Sequence, residues 1–300
     1  MALLTGLEIS GDVTRSYTIH VPDDPVRATV PAIVVFHGGG QDVTTIAARW
    51  GVDPPDPVPA YLADYLLVFP ESDPRMGEEW VHLQPGDSGF PTLDLDFVQL
   101  LVAELTTRAY QTASATFPTV SADPGLVYAA GFSNGGGMVW QVLNSSLSPE
   151  FRGFAAVGKA LDPEKSRHYR CELARAGAVP VPAPVVYVQG TAERGYRPPF
   201  TREETALGMT LPAFTVKEML ERNGSATDAP ATAHLLPGST GVTEVVVQLF
   251  EGTEAFLVAT VINGGHNWPT PTTHGNPPVA DHFDATATIV EFWQRHAGLP

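Results

Sequence analysis

Five short apolar runs constrain what this chain can fold into more than any other feature. They are AIVVFHG (Ala32 to Gly38), YLLVFPE (Tyr65 to Glu71), LVYAAGF (Leu126 to Phe132), GFAAVGKA (Gly153 to Ala160) and VVYVQG (Val185 to Gly190). A strand with one wet face alternates apolar and polar residues, whereas a continuous apolar run of this length suits a strand covered on both faces, as in a parallel sheet. Alternation is confined to GLEISGDVTRSYTIHVP, where it turns about Ser10-Gly11-Asp12 and predicts an edge hairpin. Between the apolar runs lie helical patterns. In Leu93 to Tyr110, Phe97, Leu101 and Leu105 with Val98, Val102 and Ala109 form one apolar stripe opposite Asp96, Gln99, Thr106 and Thr107. Gly135 to Ser145, Val216 to Arg222 and Asp281 to His296 are further helical segments, the last with Phe283, Val290 and Trp293 on one face. With two more strands at EVVVQLF and FLVATVING, the order predicts an α/β fold, a mostly parallel central sheet flanked by helices on both faces.

The 300 residues fit one domain, 1–300, long enough to enclose a large core, and 43% hydrophobic with 17% charged residues is ordinary for a globular protein. A net charge of -16, without a run of lysine or arginine, argues against nucleic acid as a partner. The single Cys171 cannot form an internal disulfide, and no Cys/His cluster suggests a structural zinc. No apolar run approaches the roughly 18 residues of a membrane span, so no membrane partner is expected. The opening MALLTGLEIS lacks a basic segment followed by a long apolar one, so the expected location is cytoplasmic, or secreted with the signal removed. DPPDPVP (Asp53 to Pro59) reads as an irregular loop, and the long connections at about 161–183 and 194–212 as walls or a small cap beside the chemistry.

That chemistry centres on Gly131-Phe132-Ser133-Asn134-Gly135, a G-x-S-x-G between a strand and a helical stretch. A sharp strand-to-helix turn brings backbones too close for a Cβ, and it puts the serine itself in strained φ/ψ space. His37-Gly38-Gly39-Gly40 ends an early strand, where a side-chain-free backbone can approach a carbonyl and donate to its developing oxyanion. Gly264-Gly265-His266-Asn267-Trp268-Pro269 places a histidine in a loop after the last strand. Gly190-Thr191-Ala192-Glu193 places a carboxylate between serine and histidine in chain order. Such a carboxylate fixes the imidazole tautomer, leaving the other ring nitrogen to take the serine proton. Glu203, Glu204 and Asp228 compete with Glu193 for that role. His37 reads as a structural residue holding its loop, and Trp80 and Trp268 as either packing or pocket-lining, substrate-binding residues. Asp94 and Asp96 read as partners of a helix dipole. Asp281, His274 and His282 lack the spacing of a metal site, so no metal or other cofactor is expected.

Together HGGGQ, LDLDFVQLLVAEL, GFSNGGGM, GTAE and GGHNWP resemble the polyhydroxybutyrate depolymerase-like esterases of the α/β-hydrolase superfamily, a group that includes feruloyl and acetyl xylan esterases. The resemblance runs from about Arg15 to the C-terminal helix. It implies Ser133 as nucleophile, His266 as base and Glu193 as acid, with oxyanion donors at the Asn134 and Gly39 amides; Gly40 would serve if that loop were shifted. Members usually carry GTxD, so Glu193 is one methylene longer than the pattern. The implied activity is hydrolysis of carboxylic esters through an acyl-enzyme, on feruloyl- or acetyl-type esters or short polyester oligomers. A serine peptidase on the same fold, or a catalytically silent binding protein, are the alternatives.

Overall fold

The computed structural model describes residues 2–9, 13–53, 56–77, 79–80, 93–175, 177–193, 209–225, 229–237, 244–270 and 283–300. The apolar runs become β3 (Thr29–Phe36), β4 (Leu66–Pro70), β6 (Thr119–Phe132), β7 (Gly153–Val157) and β8 (Val185–Gly190). Every residue of β4, β7 and β8 is buried, as is all of β3 after its first residue. These five strands and β11 (Phe256–Val261) pair in parallel in the order β4-β3-β6-β7-β8-β11. Antiparallel strands continue the sheet at both margins, β1 (Ala2–Ile9) and β2 (Val13–His20) beside β4, and β10 (Val245–Phe250) and β9 (Thr232–Leu236) beside β11. The short β5 (Tyr110–Gln111) pairs with the start of β6.

Burial on both faces is visible residue by residue. Along β3, Val34 and Phe36 enter one apolar cluster with Phe97 and Leu101 of α2 (Leu93–Thr107), Met138 of α3 (Asn134–Leu143) and Met219 of α5 (Leu211–Arg222). The intervening Ile33 and Val35 enter the other, with Ile46 of α1 (Val43–Arg49) and Ile289 and Trp293 of α6 (Ala285–His296). Each strand residue therefore meets a helix layer whichever way it points, which is why the alternation of a half-wet strand is missing.

Several expectations need revision. The α2 helix stops at Thr107, so Ala109 is exposed and lies outside the apolar stripe. The connection at 161–183 contains α4 (Pro163–Arg175), whose sequence PEKSRHYRCELAR is too polar to show a broad stripe; Tyr169 and Leu173, with Pro163 at its start, are its buried apolar side chains among the described residues. Its local signal is the start: Asp162 Oδ1 accepts from the Glu164 and Lys165 amides, with proline at the first helical position. The expected helix at Asp281 starts at Ala285, capped by Asp284. The turn at Ser10-Gly11-Asp12 lies outside the described residues, as does most of the 194–212 connection.

Asp94 lies in the first turn of α2, where the helix dipole favours an acid, and it also has a specific partner. It is 2% exposed and ion-paired at 2.8 Å with Arg15 Nη1 of β2, while Arg15 Nη2 donates to the Glu71 carbonyl (2.9 Å). The guanidinium stands 4.3 Å from the Phe97 ring centroid and 5.6 Å from that of Trp80. One buried pair thus ties the edge hairpin to α2 and to the end of β4. Asp94→Ala, which strands the buried cation, is expected to lower unfolding stability by about 3–5 kcal/mol. The apolar double variant Arg15→Met/Asp94→Leu should recover most of that loss, both being read from urea unfolding midpoints.

Candidate active site

At the carboxyl end of β6 the chain must turn from strand to helix within one residue, and Ser133 makes that turn with φ 51° and ψ −115°. Ser133 and Asn263 are the non-glycine residues with positive φ among those described. The glycines on either side have a steric reason. A Cβ on Gly131 would lie 2.3 Å from the Gly135 carbonyl oxygen, and one on Gly135 would lie 2.2 Å from that of Phe36. The strained residue is pinned through its own backbone, its N–H donating to Val157 O (2.8 Å) and its carbonyl accepting from Gly137 N (3.1 Å). The serine hydroxyl is therefore fixed at the sheet edge above β6 and at the N-terminus of α3.

Two neighbouring strand ends supply the histidine and the carboxylate. After β8, the Thr191 amide donates to Val261 O (2.9 Å) and the Ala192 amide to Gly264 O (2.8 Å), lacing the GTAE turn to the loop that carries His266. Glu193 curls back so that Oε1 accepts from the Gly190 amide (3.1 Å), while Oε2 lies 2.6 Å from His266 Nδ1. The extra methylene relative to aspartate is taken up in that curl. His266 Nε2 lies 2.7 Å from Ser133 Oγ. With a carboxylate as its acceptor, Nδ1 carries the ring proton, which leaves Nε2 to accept from the hydroxyl. The Glu193 side chain is 8% exposed and that of His266 49%, so the carboxylate is enclosed and the imidazole half exposed. The imidazole rests on the Phe132 ring, with centroids 5.0 Å apart.

The glycine loop after β3 is held from below. His37 is fully buried; its Nδ1 donates to Gly38 O (2.8 Å) and its Nε2 accepts from the Ser72 amide (3.2 Å), the structural position expected of it. Gly39 packs against Asn134, whose Cβ would lie 3.4 Å from a Cβ on Gly39. Neither of these two backbone amides donates to another described residue. The Asn134 side chain clamps a neighbouring segment, Oδ1 accepting from the Trp80 amide (2.6 Å) and Nδ2 donating to the Trp80 carbonyl (3.2 Å).

Trp80 and Trp268 do not line the opening. Trp80 is 1% exposed, stands edge-on to Phe36 and donates its indole N–H to His37 O (3.1 Å). Trp268 is fully buried against Trp50 and Phe132, its indole N–H donating to Thr286 Oγ1 (3.1 Å). With faces packed and donors satisfied, both support the site from within the core. Two side chains that the motifs left unassigned, Gln41 and Phe132, do touch it; their signal was proximity, one closing HGGGQ and the other preceding the serine. Glu203, Glu204, Asp228, His274, Asp281 and His282 lie outside the described residues. Among the described residues, no three His, Cys, Asp or Glu side chains gather as metal ligands, and no helix is long and apolar enough to cross a membrane.

In an alignment 305 positions long that covers 93% of its length and 79% of the other's, the chain is 28% identical to NocK of Nocardia uniformis subsp. tsuyamanensis, provisionally named an esterase. It superposes on an acetyl xylan esterase from Aspergillus awamori with a TM-score of 0.54 at 14% identity, covering 97% of this chain and all of that one. This is an α/β-hydrolase fold. A thermostable esterase of the same fold matches with a TM-score of 0.53 at 14% identity over 99% of the present chain, which spans 63% of that longer protein. No protein-family model matches the chain. Among the described glycines, an added Cβ would meet its nearest neighbour at the elbow, on Gly135. Gly135→Ala requires the backbone to move and is expected to cost about 3 kcal/mol or more. Gly40→Ala, at φ +66° with nothing within 4 Å of the added carbon, should cost only about 1–2 kcal/mol. Chemical unfolding of the two variants measures the contrast.

Proposed function

We propose that the protein is a serine carboxylic ester hydrolase working through an acyl-enzyme. One observation carries the reading: a hydroxyl on a strained, positive-φ turn, 2.7 Å from an imidazole nitrogen whose partner nitrogen lies 2.6 Å from an enclosed carboxylate. Ser133 attacks the ester carbonyl as His266 accepts its proton, and Glu193 holds the tautomer and stabilises the imidazolium. The tetrahedral oxyanion is met by the Asn134 and Gly39 amides, the first reinforced by the N-terminus of α3. His266 then protonates the departing alcohol, water enters, and the same proton transfers release the acid. The cycle needs no cofactor.

The names of similar proteins, acetyl xylan esterase among them, support esters as the substrate class. The resemblance of HGGGQ, GFSNGGGM, GTAE and GGHNWP to polyhydroxybutyrate depolymerase-like esterases narrows it to feruloyl- or acetyl-type esters or short polyester oligomers. Nitrophenyl acetate should be hydrolysed and the corresponding nitroanilide left intact; the reverse preference would indicate a peptidase. Ser133→Ala is expected to lower kcat by at least about 10⁴-fold, and Glu193→Ala by about 10³-fold or more with folding retained. A Glu193→Ala rate within tenfold of the parent would move the acid to Glu203, Glu204 or Asp228, and an active Ser133→Ala would overturn the reading.

A further inference from the structure

If Ser133 opens esters as proposed above, the rate depends on where the Gly39 amide points, and that amide donates to no other described residue. What is bound is the residue before it. The Gly38 carbonyl accepts from His37 Nδ1 (2.8 Å) and from the Gln41 amide (3.2 Å). In a trans peptide the N–H of the next residue points opposite to that carbonyl, so these two bonds turn the Gly39 N–H away from His37. The Gly38 amide in turn donates to Gln41 Oε1 (3.3 Å), and a Cβ on Gly38 would lie 2.8 Å from that same oxygen. Gln41 thus grips both ends of the glycine that sets the next amide.

A glutamine side chain on a half-buried turn is free to rotate unless something holds it. Here Arg49 Nη1, from the last turn of α1, donates to the same Gln41 Oε1 (3.0 Å). The Arg49 guanidinium lies 4.4 Å from the centroid of the Phe132 ring, the ring on which His266 rests. Burial pushes the Arg49 pKa down, and among the described residues no carboxylate pairs with the guanidinium to offset the cost of desolvation. What it obtains instead is one amide oxygen and one aromatic face. Lysine cannot supply both, having no planar group to stack while it donates sideways.

The geometry points to Gln41 and Arg49 as positioning residues that orient the Gly38-Gly39 peptide as an oxyanion donor and tie it, through Phe132, to the His266 ring. They touch no reacting atom; they act through Gly38 and Phe132. Their effect should therefore fall on transition-state binding and leave ester affinity nearly unchanged.

Four variants test this, Gln41→Met, Gln41→Glu, Arg49→Met and Arg49→Lys, each compared with the parent per titrated active site. Gln41→Met keeps the volume and loses the acceptor, whereas Gln41→Glu keeps an oxygen for both Gly38 and Arg49. Deleting an oxyanion donor outright costs about 10²–10³-fold in kcat, so loosening one should cost about 10–100-fold. That loss is expected in Gln41→Met, with KM within about threefold and affinity for a boronic acid transition-state mimic falling in parallel. Gln41→Glu should stay within about threefold of the parent, and Arg49→Met and Arg49→Lys should both be impaired. The Gln41→Met/Arg49→Met double should be no worse than the poorer single, because the two act in one chain. A parental kcat in Gln41→Met, equal impairment in Gln41→Met and Gln41→Glu, or a loss confined to melting temperature and active fraction would overturn the inference. A parent protein without ester hydrolysis, or an active Ser133→Ala, would instead remove the reading beneath it.

Discussion

The organisation of this site rests on one steric constraint, the contact between the end of β6, the first turn of α3 and the end of β3. Gly135 sits where its missing side chain would meet the carbonyls of Phe36 and His37 at 2.2 and 2.5 Å, and Gly131 sits where its own would meet Gly135. That three-way contact does two things at once. It forces Ser133 into a left-handed φ, at a cost of about 1–3 kcal/mol that the surrounding packing must offset. It also brings the HGGGQ loop against the N-terminus of α3, so that Gly39 and Asn134 become neighbours. The place of the hydroxyl and the place of the HGGGQ loop are consequences of the same missing methyl groups.

The parallel sheet supplies the rest. Strands β3, β6, β8 and β11 end at one edge, so the loops that follow them carry Gly39, Ser133, Glu193 and His266 to a common rim although 73 residues separate the carboxylate from the imidazole. Loops at such an edge have few backbone partners, and here they bond to one another. Thr191 and Ala192 donate to the β11 side, and Glu193 is gripped by the Gly190 amide. Beneath them the buried rings of Phe132 and Trp268 pack edge to face on one side of the sheet, and Trp80 packs against Phe36 and His37 on the other; packed support of this kind is what holds a constellation of side chains in place.

Much of this was legible in the sequence because it follows from local rules. Continuous apolar runs mean covered strands, G-x-S-x-G means a strained elbow, and the order of GFSNG, GTAE and GGHNWP matches loops that a parallel sheet must bring together. What escaped had no local signature. The fully exposed β9 shows no apolar alternation, because it buries no face. Helix α4 is mostly polar, with too few apolar residues to make a stripe, and only its Asp162-Pro163 start marked it. The ion pair of Asp94 had no such signature, since its partner, Arg15, lies 79 residues away and nothing local announces a buried pair. Trp268 lies two residues from His266, yet side chains that close in sequence face opposite ways when a turn intervenes. The reach of Gln41 to both Gly38 and Arg49 likewise exists only once the loop is folded.

The central claim is that one hydroxyl among all those in the chain has been made reactive by its place on the elbow and by the imidazole beside it. A fluorophosphonate probe followed by peptide mapping in a mass spectrometer addresses it most directly. The account predicts one equivalent of adduct, carried on Ser133 and lost on prior unfolding. An intact protein that takes up no probe, or an adduct on another serine while Ser133 stays free, would contradict it.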